Sequence, residues 1–172
     1  MEPPDDPDCY WVEPDRLLAG EYPGSDDEDT ARAKLNALLD CGVRTFVDLT
    51  EKHDLLDPYD AVLQSEASER GLTVAYHRKP VKDMNVPSIL HMRDILAVIK
   101  ASVDRGDAVY VHCYGGIGRT GTVVGCWLVE RGTGGDDPIA AIAELRADVW
   151  KLRRPSPETD AQITFVRDWP AR

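Results

Sequence analysis

Residues 112–122 read His-Cys-Tyr-Gly-Gly-Ile-Gly-Arg-Thr-Gly-Thr. Cys113 and Arg119 bracket five residues, Tyr114, Gly115, Gly116, Ile117 and Gly118, three of them glycine. The run before them, Ala108 to Val111, is apolar and β-rich and predicts a buried strand. The run after them, Thr122 to Val129, predicts a largely buried helix. A cysteine thus stands where a strand passes through a glycine-rich loop into a helix N-terminus. Such a loop aims several backbone N–H groups at one point, and the helix end adds positive potential. Arg119 supplies a planar fork that matches a tetrahedral oxyanion. Helix N-termini and nearby cations lower a thiol pKa to roughly 3.5–7.5, so Cys113 is expected to ionise readily. A thiolate beside an oxyanion cradle is equipped to attack phosphorus. A merely structural turn around a buried cysteine needs neither Arg119 nor Thr120 at these places.

The surrounding pattern alternates strand and helix. Trp11-Val12 and Arg16 to Gly20 read as short strands around a Glu-Pro-Asp turn. Asp26 to Asp29 solvate and cap a helix that ends at Cys41-Gly42. Thr45 to Leu49 reads as an inner strand, Ala61 to Arg70 as a helix, and Leu72 to Tyr76 as the next strand. Pro87 opens a long helix with an apolar face, and Pro138 opens another through Ala147. Ser156-Pro157 reads as an N-cap and first residue of the last helix. The fold class is therefore α/β: a central, mainly parallel sheet flanked by helices, with the phosphate loop between a strand and a helix. In such sheets a site lies beyond the carboxyl ends of the strands, where Cys113 stands.

Attack on a phosphoester must expel an alkoxide or phenoxide, and a carboxylic acid on the leaving oxygen contributes typically ~10²–10⁴-fold. Two loops at that sheet edge offer aspartates. One is Pro80-Val81-Lys82-Asp83; the other holds Asp54, Asp57 and Asp60.

His-Cys-x5-Arg-Thr resembles the signature of the cysteine-dependent protein tyrosine and dual-specificity phosphatases, of the small single-domain type, and the likeness spans most of the chain. The resemblance implies Asp83 as the acid, with Asp54 or Asp57 as the alternatives. It implies that His112 rigidifies the loop and that the backbone of Tyr114 to Arg119 binds phosphate. The Thr120 hydroxyl is placed to bond the Cys113 thiolate as a thiophosphate breaks down. Glu158-Thr159-Asp160-Ala161-Gln162 resembles the family's Gln-Thr-x-x-Gln segment, which makes Gln162 the residue that positions the hydrolytic water; Glu158 replaces the first glutamine. Asp168-Trp169-Pro170 holds the letters of a Trp-Pro-Asp loop in reverse order and reads as a tail that packs Trp169. The function implied is a phosphoprotein phosphatase for phosphotyrosine, or for phosphoserine and phosphothreonine as well, working through a cysteinyl-phosphate. The rivals are a phosphatase of phosphoinositides, inositol phosphates or RNA 5′-phosphates, a non-catalytic phosphate-binding module, and sulfur or arsenate chemistry.

The chain has 172 residues, 42% hydrophobic and 30% charged, enough for one domain. Residues 1–8 are acidic and proline-rich and read as a disordered lead, leaving 9–172 as the domain. No signal peptide or span-length apolar run is evident, so a cytoplasmic protein is expected. The net charge of −11 argues against nucleic-acid and anionic-membrane partners and leaves a phosphorylated protein as the expected one. Lys79, Lys82, Arg153 and Arg154 are the cations able to form a positive rim. No cofactor or metal is expected: His53, His77 and His91 have no partners at ligand spacing. Cys9, Cys41, Cys113 and Cys126 read as free thiols, with Cys41 and Cys126 buried and either able in principle to resolve an oxidised Cys113.

Overall fold

The structure is a computed structural model that describes residues 2–149 and 154–170. Five apolar runs form the strands β1 (Cys9–Glu13), β2 (Leu17–Gly20), β3 (Val43–Asp48), β4 (Ala75–Arg78) and β5 (Ala108–His112). They join in one sheet of order β1-β2-β5-β3-β4, antiparallel at β1·β2 and parallel elsewhere. β5 lies at the centre and is buried at every position, as a strand covered on both faces must be.

Side chains alternate across the sheet. Val47, Leu49, Val109 and Val111 enter one core with Met92, Ile95 and Ile99 of α3 (Ile89–Asp104) and with α4 (Gly118–Arg131). Ile142 of α5 (Pro138–Leu145) and Val166 of α6 (Asp160–Arg167) complete that layer. Phe46 and Tyr110 face the other way, onto Leu35, Leu38 and Leu39 of α1 (Glu28–Asp40) and Leu63 of α2 (Asp60–Glu69). The doubly covered, mainly parallel sheet agrees with the sequence reading.

Several boundaries differ from it. β4 begins at Ala75 rather than Leu72, because the Leu72 N–H closes the end of α2 on the Ala67 carbonyl at 2.8 Å. α3 begins at Ile89, not Pro87, with Ser88 as its cap. α4 begins at Gly118, inside the glycine-rich loop. The last helix starts at Asp160: Thr159 caps it, and the Ser156 hydroxyl instead donates to the Ile117 carbonyl at 2.8 Å. Cys41 is half-buried at the end of α1 rather than buried, while Cys126 is fully buried; all four cysteines are free. Residues 2–8, read as a disordered lead, contact the body through Asp6 with Lys34 at 3.3 Å and through the Asp8 carbonyl with the Glu21 N–H at 3.0 Å. Trp169 packs as expected, buried against Phe165. Among the described residues no helix is long and apolar enough to cross a membrane.

Candidate active site

The loop after β5 is pinned from four sides. The Leu49 N–H donates to the His112 carbonyl and the Tyr22 N–H to the Tyr114 carbonyl, both at 2.9 Å. The Ile117 carbonyl takes the Gly121 N–H at 3.0 Å and the Ser156 hydroxyl. Gly116 has φ +66° and lies so close to Gly20 that a Cβ would fall 2.5 Å from its carbonyl carbon. Only glycine fits there. Parallel pairing brings Asp48 of β3 level with His112, so the loops after β3, β4 and β5 meet at one edge.

Cys113 is buried at the mouth of this loop. Beside it, His112 is fully buried between two partners. Its Nδ1 lies 3.2 Å from the Cys113 carbonyl and its Nε2 lies 2.6 Å from the Tyr59 hydroxyl. A carbonyl only accepts, so Nδ1 carries the proton and neutral Nε2 accepts from Tyr59. Burial pushes the His112 pKa down, which keeps the ring neutral; the nearby Asp48 charge and the bond to Cys113 oppose that shift, and Arg119 adds to it. The imidazole thus links the Cys113 carbonyl to the Tyr59 hydroxyl.

Arg119 sits at the foot of the cradle, in the first turn of α4, with its side chain 2% exposed. Nη1 donates to Asp54 at 2.7 Å and to the Val81 carbonyl at 3.2 Å, while Nη2 lies 3.1 Å from Asp83. Nε is buried with no partner. Burial works against the charge, but the Asp54 bond, the Cys113 sulfur and the two carboxylates outweigh it and raise the Arg119 pKa. Next along the helix, the Thr120 hydroxyl is also buried without a partner. Two hydrogen-bonding groups at the cradle are therefore unspent, and buried polar groups are rarely left so unless something binds there.

Two of the three candidate acids, Asp54 and Asp83, reach this arginine. Asp54 closes a 3-10 turn over Lys52–Asp54, and its Oδ2 also accepts the Glu51 N–H at 2.9 Å. Its side chain is 13% exposed, that of Asp83 61%. Asp57 is exposed and engages through its carbonyl, with Tyr22, rather than at the cradle. Gln162 is fully buried against Gly118, where a Cβ would meet its amide at 3.1 Å. Its Oε1 accepts the Glu158 and Thr159 N–H groups at 3.1 and 3.2 Å, and its Nε2 donates to the Asn85 carbonyl at 3.1 Å. Nε2 carries a second amide proton beyond that bond. The Glu158 carboxylate stands over Gly118 too and pairs with Arg154. Lys79 is held by Asp94 at 2.6 Å, Lys82 is exposed, and Arg153 lies outside the described residues. Among the described residues no group of His, Cys, Asp or Glu is arranged to hold a metal.

Sequence reasoning missed Tyr59 and Asp48. The buried Asp48 carboxylate accepts from Thr50 and from Tyr76 and shapes the turn that carries Asp54. No periodic signal marks either residue.

An uncharacterised protein of Methanocaldococcus jannaschii is 33% identical over 90 residues, 52% of this chain and 56% of that protein. The chain spans about half the length of the curated relatives it matches first. Among solved structures, Tk-PTP in its active form is 26% identical with a TM-score of 0.68, over 95% of this chain and 97% of its own. PTPMT1 in complex with PI(5)P shares the fold at 21% identity and TM-score 0.65, over 94% and 96% of the two chains. Residues 23–133 match the family described as "Polymorphic toxin system, DSP-PTPase phosphatase", a stretch that takes in Asp54, Asp83 and the whole cradle, and the chain belongs to that family of the tyrosine and dual-specificity phosphatase superfamily.

Proposed function

We propose that this chain hydrolyses phosphate monoesters on proteins, phosphotyrosine foremost, through a phosphorylated Cys113. The phosphoryl group enters the loop of Tyr114 to Arg119, whose N–H groups and Arg119 Nε take its oxygens. The Cys113 thiolate attacks in line; the S–P bond forms as the ester P–O bond breaks, and Asp83 gives its proton to the leaving oxygen. Water then attacks phosphorus, gives its proton to Asp83, and the thiolate departs with a hydrogen bond from Thr120. The free amide proton of Gln162 orients that water. Such chemistry suits a reducing, cytoplasmic setting in which Cys113 stays a thiol.

The observation that carries the reading is Arg119, a buried guanidinium with Nε unpartnered at the foot of a glycine-rich cradle behind Cys113. A protein substrate is favoured over a polyphosphorylated one because Tyr114, Gly115, Gly116 and Ile117 add no cation to the cradle. Outside it, Lys79 and Arg154 are already neutralised by Asp94 and Glu158.

Rapid quench of the native chain with a phosphotyrosine peptide should trap one phosphoryl group on Cys113. Cys113→Ser should bind the peptide without turning it over. Substantial turnover by Cys113→Ser would sink the mechanism, and a kcat/KM ~100-fold higher for any inositol phosphate than for the peptide, about 2.7 kcal/mol, would move the substrate to the rival class.

A further inference from the structure

Among the described residues five large apolar side chains are exposed: Leu55, Met84, Ile89, Leu90 and Tyr114. All five belong to the cradle edge of the sheet. Leu55 directly follows Asp54, Met84 follows Asp83, and Tyr114 follows Cys113. They therefore come from three separate loops, those after β3, β4 and β5, that converge on Arg119. Ile89 and Leu90 open α3 at the end of the Asp83 loop. Leu55 and Met84 also hold left-handed backbone, φ +54° and +58°, which such residues seldom adopt. A chain of net charge −11 has ample polar residues for these positions, so apolar exposure confined to one edge marks a contact surface.

The collar continues into a depression. Ile89 borders a cavity of about 470 Å³ that runs along α6 and is lined further by Ala161, Thr164, Phe165, Trp169 and Pro170. Asp160 and Asp168 line it too. Gln162 ties the start of α6 to the Asp83 loop through Asn85, so cavity and catalytic loop are mechanically joined.

We propose that this collar selects the residues flanking the phosphoresidue: the preferred substrate is an extended protein segment whose phosphoresidue lies between large apolar side chains, one of which lodges in the Ile89–Trp169 cavity. The inference rests on the phosphatase reading of the cradle. The occupant follows from continuity with the phosphate site and from charge. Asp54 and Asp83 reach Arg119 at this edge and Asp160 lines the cavity, so acidic flanks and an anionic bilayer meet like charge, whereas apolar flanks meet Leu55, Met84 and Tyr114.

Peptides of one length, with phosphotyrosine flanked by Leu, Ala or Asp, provide the test. Affinity is measured on Cys113→Ser and kcat/KM on the native chain. Leu flanks should outperform Ala flanks by about tenfold, the worth of roughly one well-buried apolar side chain. The double variant Leu55→Asn, Met84→Asn keeps the left-handed backbone, since Asn tolerates it. It should cut that advantage to about twofold while turnover of para-nitrophenyl phosphate stays as in the native chain. Equal affinity for Leu and Asp flanks, or an undiminished preference in the double variant, would overturn the proposal. So would loss, in the double variant, of binding to neutral phosphatidylcholine vesicles with peptide preference intact, which would assign the collar to a membrane. Para-nitrophenyl phosphate judges the chemistry separately, because peptide discrimination can fail while that turnover stands.

Discussion

Asp54 and Asp83 both touch Arg119, and replacing each by Asn separates a structural carboxylate from a proton donor. Asp54 and Arg119 form a nearly closed pair, 13% and 2% exposed, at 2.7 Å. Removing one member of a buried ion pair costs about 3–5 kcal/mol. Arg119 keeps the Val81 carbonyl and Asp83, and an Asn oxygen still accepts from Nη1, so about 2–3 kcal/mol is expected for Asp54→Asn. In a domain of this size that lowers Tm by roughly 4–12 °C. Asp83 is 61% exposed, and solvent-screened pairs are worth about 0–1 kcal/mol, so Asp83→Asn should leave Tm nearly unchanged. Kinetics should invert the ranking. Without its acid the enzyme should lose ~10²–10⁴-fold in kcat on tyrosine-type esters and far less on esters whose leaving group needs no proton. Asp54→Asn should instead weaken vanadate binding about tenfold, because Arg119 is no longer fixed, with the leaving-group dependence of kcat intact. Thermal melts, vanadate titration and a series of aryl phosphates of graded leaving-group pKa read all of this. A steep leaving-group dependence appearing in Asp54→Asn, with Asp83→Asn keeping the shallow native one, would exchange the two assignments.

Thr120→Val removes a buried hydroxyl that has no partner, so folding stability should hold or rise by up to about 1 kcal/mol while breakdown of the phosphoenzyme slows, seen as a larger burst. His112 titrates below its ordinary value because it is buried; the unfolded chain takes up its proton near pH ~6.5 and the folded chain does not, so stability should be full above that pH and decline as pH falls below it. Urea unfolding between about pH 7.5 and 5 checks the sign, and a flat profile refutes it. Glu158→Gln removes a carboxylate standing over Gly118 and should tighten phosphate and vanadate binding several-fold; unchanged inhibition constants would show that Arg154 already neutralises it.

What the sequence disclosed and what it withheld differ in range. The cradle was readable because its parts are contiguous: strand, glycines, arginine and helix lie within one short stretch. The layered fold was readable because period-two strands such as Val109 to Val111 alternate with helices of period 3.6. Helix starts at Ser88 and Thr159 were misplaced because nearby prolines compete as start signals, and only the side-chain bonds to His91 and Gln162 decide. The acid loop could not be resolved from spacing, since Asp54, Asp57 and Asp60 recur every third residue in one segment. Which of these three reaches Arg119 is decided by a 3-10 turn that holds Asp54 on the Glu51 N–H and turns it toward an arginine 65 positions away. Tyr59 on His112 is the same kind of contact, 53 positions apart. The collar is harder still to see, because an exposed leucine in a loop has no period and looks like chance. It becomes an argument only when the fold gathers Leu55, Met84 and Tyr114, each the neighbour of a site residue, around one guanidinium. On the proposed reading the loops that carry the chemistry also carry the surface that meets the substrate, and Met84→Asn should change the preference among phosphopeptides while leaving turnover of para-nitrophenyl phosphate as it is.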